Sequence, residues 1–209
     1  MSEWQLFEPG TVPFFTTPEF FAAHPWVPPE QQGGHAERTA MVADLIHDIV
    51  LAEPFGLSLV DLGCGDGSLL SQIGHLPIST WGYDAGIENV KKARAADLDV
   101  YHADLLSDPQ RYADISVASE VVEHLVDPHG FLRDLPGRYL VISSPSAETD
   151  EWHYLHHAWA WDLDGYVELV RGAGWHILDQ VECDGGDNFH GGIRRPQRFQ
   201  AICATRVGR

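Results

Sequence analysis

Apolar residues along this chain follow two rhythms, and the rhythms divide it into elements. Over residues 35–52, Val42, Leu45, Ile46, Ile49 and Val50 recur at i, i+3, i+4, i+7 and i+8, while Asp44, His47 and Asp48 take other faces. That period predicts an amphipathic helix. Downstream, short apolar runs at 57–62, 78–83, 100–102, 115–119 and 139–143 predict buried strands. Helical stretches separate them, through Leu69, Leu70 and Ile73, over 87–96, and around Phe131 and Leu132. A further helix through Leu163, Tyr166, Val167 and Val170 ends at Gly172 and Gly174, residues suited to a C-terminal cap. Two last strands, at 175–181 and 198–205, have a long glycine-rich connection between them and no helix.

Strands alternating with helices imply an α/β fold, a mostly parallel sheet with helices on both faces. Seven strands are expected in a Rossmann-like arrangement, and the helix-free final connection lets the last strand enter antiparallel. Ligands of such sheets sit beyond the carboxyl ends of the strands, near the switch in strand order. Residues 1–34 read differently. Pro9, Pro13, Pro18, Pro25, Pro28 and Pro29 punctuate Phe14, Phe15, Phe20, Phe21 and Trp26, which precludes a long helix there. The expected organisation is a Pro/aromatic arm over 1–34, packing its aromatic rings on a single domain over 35–209.

The chain is 209 residues long, enough to bury one full core without staples. Acidic residues outnumber basic ones 31 to 13, for a formal charge of -18. A field of that sign repels phosphate backbones and disfavours nucleic acid as a partner. Cys64, Cys183 and Cys203 include no C-x-x-C pair, which suits reduced thiols. No run approaches the ~18 apolar residues of a membrane helix, and the N-terminal residues lack a secretory pattern. The expectation is a cytoplasmic protein, monomer or homodimer, with no membrane partner.

Chemistry concentrates in the turns after the strands. The first strand runs into Asp61-Leu62-Gly63-Cys64-Gly65-Asp66-Gly67. Alternating glycines let the backbone turn tightly and approach a ligand where a Cβ would collide. Position 68 is Ser68, so the third glycine of a dinucleotide fingerprint is missing, and no Gly-Lys-Ser/Thr forms a phosphate cradle. Asp61 and Asp66 would repel a pyrophosphate but suit an ammonium or sulfonium. Asp84 ends the second strand 21 residues beyond Gly63, where a carboxylate accepts ribose hydroxyls. Asp104-Leu105 follows the third strand, where a carboxylate can receive an adenine amino group.

The Asp61–Gly67 segment resembles motif I of the class I S-adenosylmethionine-dependent methyltransferases. Gly82-Tyr83-Asp84, Ala103-Asp104-Leu105 and the segment from Val117 to Pro128 resemble that family's later motifs, and the likeness covers roughly residues 36–205. It implies S-adenosyl-L-methionine as cofactor, with Asp61, Gly63, Cys64, Gly65, Asp84, Ala85, Asp104, Leu105 and Glu120 as binding residues. His35 and Arg38 stand where relatives contact the cofactor carboxylate.

Glu120, Glu123 and His124 lie at i, i+3 and i+4, on one face of a helical turn. The phrase is similar to that of ubiquinone-biosynthesis O-methyltransferases and of Hen-type small-RNA 2′-O-methyltransferases, in which the corresponding residues bind a metal. Val27-Pro28-Pro29 and the segment from His156 to Trp161 extend the Hen-type likeness. Only 33 residues separate His124 from His157, however, short of the separation expected there. Three ligands without a secure fourth do not close a site, so a divalent metal is not expected, and Glu120, Glu123 and His124 stand as its candidate ligands.

Between Glu148 and Trp161 the chain concentrates His153, His156 and His157 with four aromatic residues. A neutral histidine there can take a proton from an acceptor hydroxyl. His153, His157, Glu123 and His124 are the candidate catalytic residues. Gly185, Gly186, Gly191 and Gly192 around His190 suggest a lid, with Arg194 and Arg195 a clamp for an acceptor carboxylate or phosphate. The reading that follows is a methyltransferase acting on a small-molecule acceptor, by O-methylation, with the aromatic arm and the His/Trp segment closing over the acceptor. The alternatives are metal-dependent 2′-O-methylation of RNA, which the charge disfavours, and a non-catalytic module that binds S-adenosylmethionine as a signal.

Overall fold

In the computed structural model the residues described are 2–24, 34–53, 56–108, 110–190 and 193–206, with side chains at 187–190 and 193–195 excepted. A short strand β1 (Glu3–Gln5) opens the chain, followed by a 3-10 turn and helix α1 (Pro18–Ala23). Helix α2 (His35–Ala52) leads into the alternating series: β2 (Ser58–Leu62), α3 (Ser68–Ile73), β3 (Ser79–Asp84), α4 (Ile87–Ala95), β4 (Val100–His102) and β5 (Ile115–Ser119). A 3-10 turn at Val122–His124 and helix α5 (Pro128–Asp134) then reach β6 (Tyr139–Pro145). The remainder is β7 (Trp159–Trp161), α6 (Leu163–Gly172), β8 (His176–His190) and β9 (Ile193–Thr205).

Seven strands form one sheet in the order β4-β3-β2-β5-β6-β9-β8. Neighbours from β4 to β6 pair in parallel, and β9 runs antiparallel to both β6 and β8. The single reversed strand is the one whose connection lacks a helix. Side chains alternate between the two faces, as a strand requires. Leu59, Val141, Ala201 and Cys203 pack with Val42, Ile46 and Leu70 on one side. Val60, Leu140, Ile142 and Ile202 pack with Leu132, Trp161, Tyr166 and Trp175 on the other. The strand order reverses between β2 and β5, so the loops after both open into one cleft.

The glycine-rich connection is where the structure corrects the sequence. In place of a loop, β8 and β9 pair as one long hairpin as far as His190↔Ile193. Register shifts fall between Ile177/Asp179 and Asp184/Gly186, and Gly186 takes φ 78°. Glycines here serve bulges in a ladder, and continuous pairing satisfies backbone groups that a lid would leave to water. The side chains of His190, Arg194 and Arg195 lie outside the described residues, as do Trp26, Val27, Pro28, Pro29, Gly191 and Gly192.

Residues 2–24 dock through two devices. β1 pairs antiparallel with β7, Trp4 opposite Ala160, and Leu6 N–H donates to the Ala158 carbonyl at 2.9 Å. Asp162 caps α6 by accepting from Gly165 N–H at 2.8 Å, and the same oxygen accepts from Ser2 N–H at 3.0 Å. Trp161, fully buried, donates from its indole nitrogen to Glu3 at 2.8 Å. A Cβ at Gly165 would overlap the Ser2 carbonyl. Gly165→Ala is therefore expected to release β1 and cost about 1–3 kcal/mol of stability. Hydrogen exchange should show the Leu6 amide losing protection while β5 and β6 keep theirs; unchanged protection at Leu6 would contradict this docking.

Candidate active site

The cleft lies beyond the carboxyl ends of β2 to β5. Gly63, Asp84, Ala85 and Asn89 line one end, Asp104, Leu105 and Leu106 a side, and Glu120, Val121, His124 and Leu125 the other end. Thr16, Pro18, Phe21 and His24 complete the wall, so α1 and the turn before it face the same space as the glycine loop.

That loop is held by its neighbours. Gly63 and Cys64 both donate N–H bonds to the Tyr83 carbonyl, at 2.8 and 3.0 Å. Gly63 has φ 81°, and a Cβ there would stand 2.5 Å from Val121 Cγ2. One Asp84 carboxylate oxygen accepts from Gly65 N–H at 2.9 Å. The other accepts from Gly86 N–H at 2.7 Å and Asn89 Nδ2 at 3.0 Å. Burial raises the Asp84 pKa, with these donors and His102 pulling the other way. Asp61 is 3% exposed, and its pKa is pushed up to about 7 by burial first and the Asp84 charge second. Asp66 accepts from Ser68 N–H and Oγ, capping the loop locally. Asp104 binds Leu106 N–H and Ser107 Oγ at the cleft side. Cys64 is buried, its thiol beside Gly82, and it is not a lining residue.

Glu120 sits at the end of β5 with φ 56°, a left-handed conformation costly for a side chain with a Cβ. Its backbone N–H donates to the Ser143 carbonyl at 3.0 Å. One carboxylate oxygen accepts from Ser143 Oγ at 3.0 Å and the other faces Arg38 Nη1 at 3.4 Å. Burial raises its pKa, and Arg38 opposes the rise. The position expected to meet a cofactor carboxylate is thus joined to Glu120.

Beside it the structure assembles a tighter group. Glu123, His124 and His157 bring one ligand atom each within 4.8 Å of one another. Glu123 is 1% exposed, and neither carboxylate oxygen has a hydrogen-bond partner. Its pKa lies well above the ordinary value, through burial and then the Glu120 charge. His124 Nδ1 bonds to the His156 carbonyl at 2.9 Å, and His157 Nδ1 to Glu148 at 2.6 Å. Burial, then His157, lowers the His124 pKa to about 3, so its imidazole is neutral and keeps a lone pair free of a proton. An orphaned buried carboxylate beside two imidazoles, each anchored at Nδ1, fits a divalent cation.

Of the sequence candidates, the structure brings Glu123, His124 and His157 together. Glu120 joins them only through charge, and His153, half-buried, neither lines the cleft nor enters the group. Two participants escaped sequence reasoning, Asn89 and Glu148, while the wall from Phe21 to His24 belongs to the arm expected to close over an acceptor. Asn89 carries a local signal, five residues after Asp84 on α4. Glu148 carries none, because its partners Tyr154 and His157 are fixed by the folding of an irregular loop.

A family model described as a methyltransferase domain matches residues 34–178. A curated relative, the mitochondrial ubiquinone biosynthesis O-methyltransferase of Arabidopsis thaliana, is 33% identical over 109 residues, covering 47% of this chain. That match spans 34% of the relative's length, so the chain corresponds to about a third of it. Magnesium protoporphyrin IX methyltransferase from Synechocystis PCC 6803, solved with bound SAH, shares the fold at TM-score 0.62 with 16% identity, covering 88% of this chain and 90% of that one. The [4+2]-cyclase SpnF shares it at TM-score 0.63 with 17% identity, covering 80% and 81%. One architecture thus carries differently named activities, and activity has to be argued from the site.

The raised pKa of Glu123 makes a prediction for metal-free protein. A carboxyl whose folded pKa exceeds its unfolded one contributes stability at low pH that is lost as pH rises through the folded value. In chelator, Glu123→Gln should therefore unfold at a higher temperature than wild type at pH 9, with the gap closing toward pH 4. Parallel melting curves across that range would show Glu123 ionised at ordinary pH.

Proposed function

The chain belongs to the methyltransferase-domain family, and we propose that it transfers the methyl group of S-adenosylmethionine to a hydroxyl oxygen of a small-molecule acceptor. The observation that carries this reading is the cleft itself. Asp84 and Asp104 line it as carboxylates suited to a nucleoside; Glu120 and His124 line it too, and His124 joins it to Glu123 and His157, which stand behind the wall.

Asp84 and Asn89 would receive the ribose hydroxyls, and Asp104 with Leu105 the adenine. Gly63 and Glu120, which line the cleft, and Asp61 and Gly65 beside them would hold the amino-acid end, Asp61 and Glu120 offering charge to a cation. Ala85 lines the wall between, and Cys64 supports the loop from beneath. The cofactor supplies an electrophilic methyl carbon for in-line displacement, so catalysis rests on holding an oxygen in line and excluding water. Phe21, Leu125 and Pro18 give the acceptor side an apolar wall that does both.

The expectation of no metal gives way here to a proposal. Glu123, His124 and His157 would hold a divalent cation, which lowers the pKa of a bound hydroxyl and stabilises the oxyanion. Without the cation, His157, backed by Glu148 behind the cleft wall, would accept the hydroxyl proton. The acidic charge and the relative's name both favour a small acceptor over RNA. Among the described residues no helix is long and apolar enough to cross a membrane.

Two measurements test the proposal. Calorimetry should give micromolar affinity for S-adenosylhomocysteine with magnesium, manganese or chelator alike. Radiolabelled methyl transfer to hydroxylated small acceptors should need the cation and fall about 100-fold or more in Glu123→Ala, with cofactor affinity within a few-fold. Absence of cofactor binding, or label appearing only on RNA, would overturn the proposal. Asp61 adds a pH signature. A cationic ligand binds its ionised form, so affinity for S-adenosylmethionine should rise about tenfold per pH unit toward pH 7 and level off above it. Asp61→Asn should flatten that profile.

A further inference from the structure

We propose that Glu148 is a positioning residue: its carboxylate fixes the tautomer and the ring orientation of His157, so that Nε2 presents a lone pair to the Glu123–His124 group. This rests on the reading of that group as a cation site, and extends it to a residue on the opposite side of the imidazole.

Glu148 lies on the loop that leaves β6, nine residues before His157, and both side chains are buried, at 6% and 9% exposure. Its two oxygens do separate work. Oε1 accepts the Tyr154 N–H at 3.1 Å, tying the carboxylate to the turn that carries the histidine. Oε2 meets His157 Nδ1 at 2.6 Å. The turn itself is closed by His157 N–H donating to the Tyr154 carbonyl at 3.0 Å. An ionised carboxylate can only accept, so Nδ1 carries a proton, and in the neutral ring Nε2 then holds the lone pair. The same loop orients the second imidazole, since His124 Nδ1 bonds to the His156 carbonyl at 2.9 Å, which likewise can only accept. The rings meet edge to face with centroids 4.7 Å apart. With both Nδ1 atoms engaged, Nε2 is the nitrogen each ring can offer a cation, and the unpartnered Glu123 carboxylate supplies the negative ligand. A partner that fixes tautomer and raises ligand basicity changes metal affinity by roughly 10–100-fold. Glu148→Gln keeps an acceptor oxygen and the shape but loses the charge, whereas Glu148→Ala loses both.

The test uses the full chain, with Mn2+ as the probe. Calorimetry at pH 7.5 should show Mn2+ affinity falling about 10-fold in Glu148→Gln and up to 100-fold in Glu148→Ala. Affinity for S-adenosylhomocysteine should stay within about twofold in both, a readout that general unfolding would move. Imidazole nitrogen NMR of metal-free protein should place the His157 proton on Nδ1 in wild type and Glu148→Gln, and divide it between the nitrogens in Glu148→Ala. Undiminished Mn2+ affinity in both variants overturns the positioning role and leaves the cation site standing. If wild type takes up no Mn2+, the cation reading fails, and the tautomer alone decides: its loss in Glu148→Ala retains Glu148 as the orienting partner of a base. A tautomer indifferent to Glu148 overturns the proposal in either case. Should Glu148→Ala fail to fold, Glu148→Gln carries the comparison.

Discussion

A buried carboxylate that lacks a counter-charge is the constraint on which this molecule turns. Asp61, Asp84, Glu120 and Glu123 stand at the carboxyl ends of three neighbouring strands or just beyond them, and burial raises the pKa of each. Ionising a carboxylate in so dry a place is costly unless a cation or a set of donors compensates. Asp84 has donors and Glu120 has Arg38; neither oxygen of Glu123 has a hydrogen-bond partner, and Glu123 and Asp61 would ionise more readily beside positive charge. A cationic cofactor at one end and a divalent ion at the other would supply it, and a chain of net charge -18 has few cations of its own to spare.

The sheet makes this arrangement by topology. Parallel strands deliver their carboxyl ends to one edge, and the reversal of order between β2 and β5 leaves a gap there that no crossover covers. The glycine loop fills the floor of that gap, and residues 14–24 build its outer wall. The wall depends on an unrelated piece of bonding, the clip of β1 onto β7 and onto the cap of α6. Because β7 follows directly on the loop carrying His156 and His157, the strand that anchors the N-terminal segment also anchors the histidines. Docking and chemistry therefore share one backbone segment.

Strain is concentrated where the chemistry is. Glu120 adopts a left-handed backbone although it carries a full side chain, and the Ser143 carbonyl and hydroxyl hold it there. This turn sends the chain from β5 into the 3-10 turn at Val122–His124, which buries Glu123 and leaves His124 at the cleft wall. A relaxed turn at Glu120 would alter the direction of both side chains that follow.

Much of this was legible in the sequence because it is local. Helix α2 follows from a 3.6-residue period, the seven-stranded sheet from alternation of elements, and the glycine loop with its acids from spacing along three consecutive turns. The bulged hairpin was not, since strand propensity is weak around Gly185 and Gly186 and pairing with β9 decides the conformation. Nor could spacing say that His157 meets Glu123 and His124, or that Phe21 faces the cleft, because those contacts close long loops through packing. The sequence by itself determined the family, the sheet and the residue types offered to a ligand. Only the tertiary structure decided which carboxylate is left without a partner, because satisfaction of a buried polar atom is a property of everything folded around it.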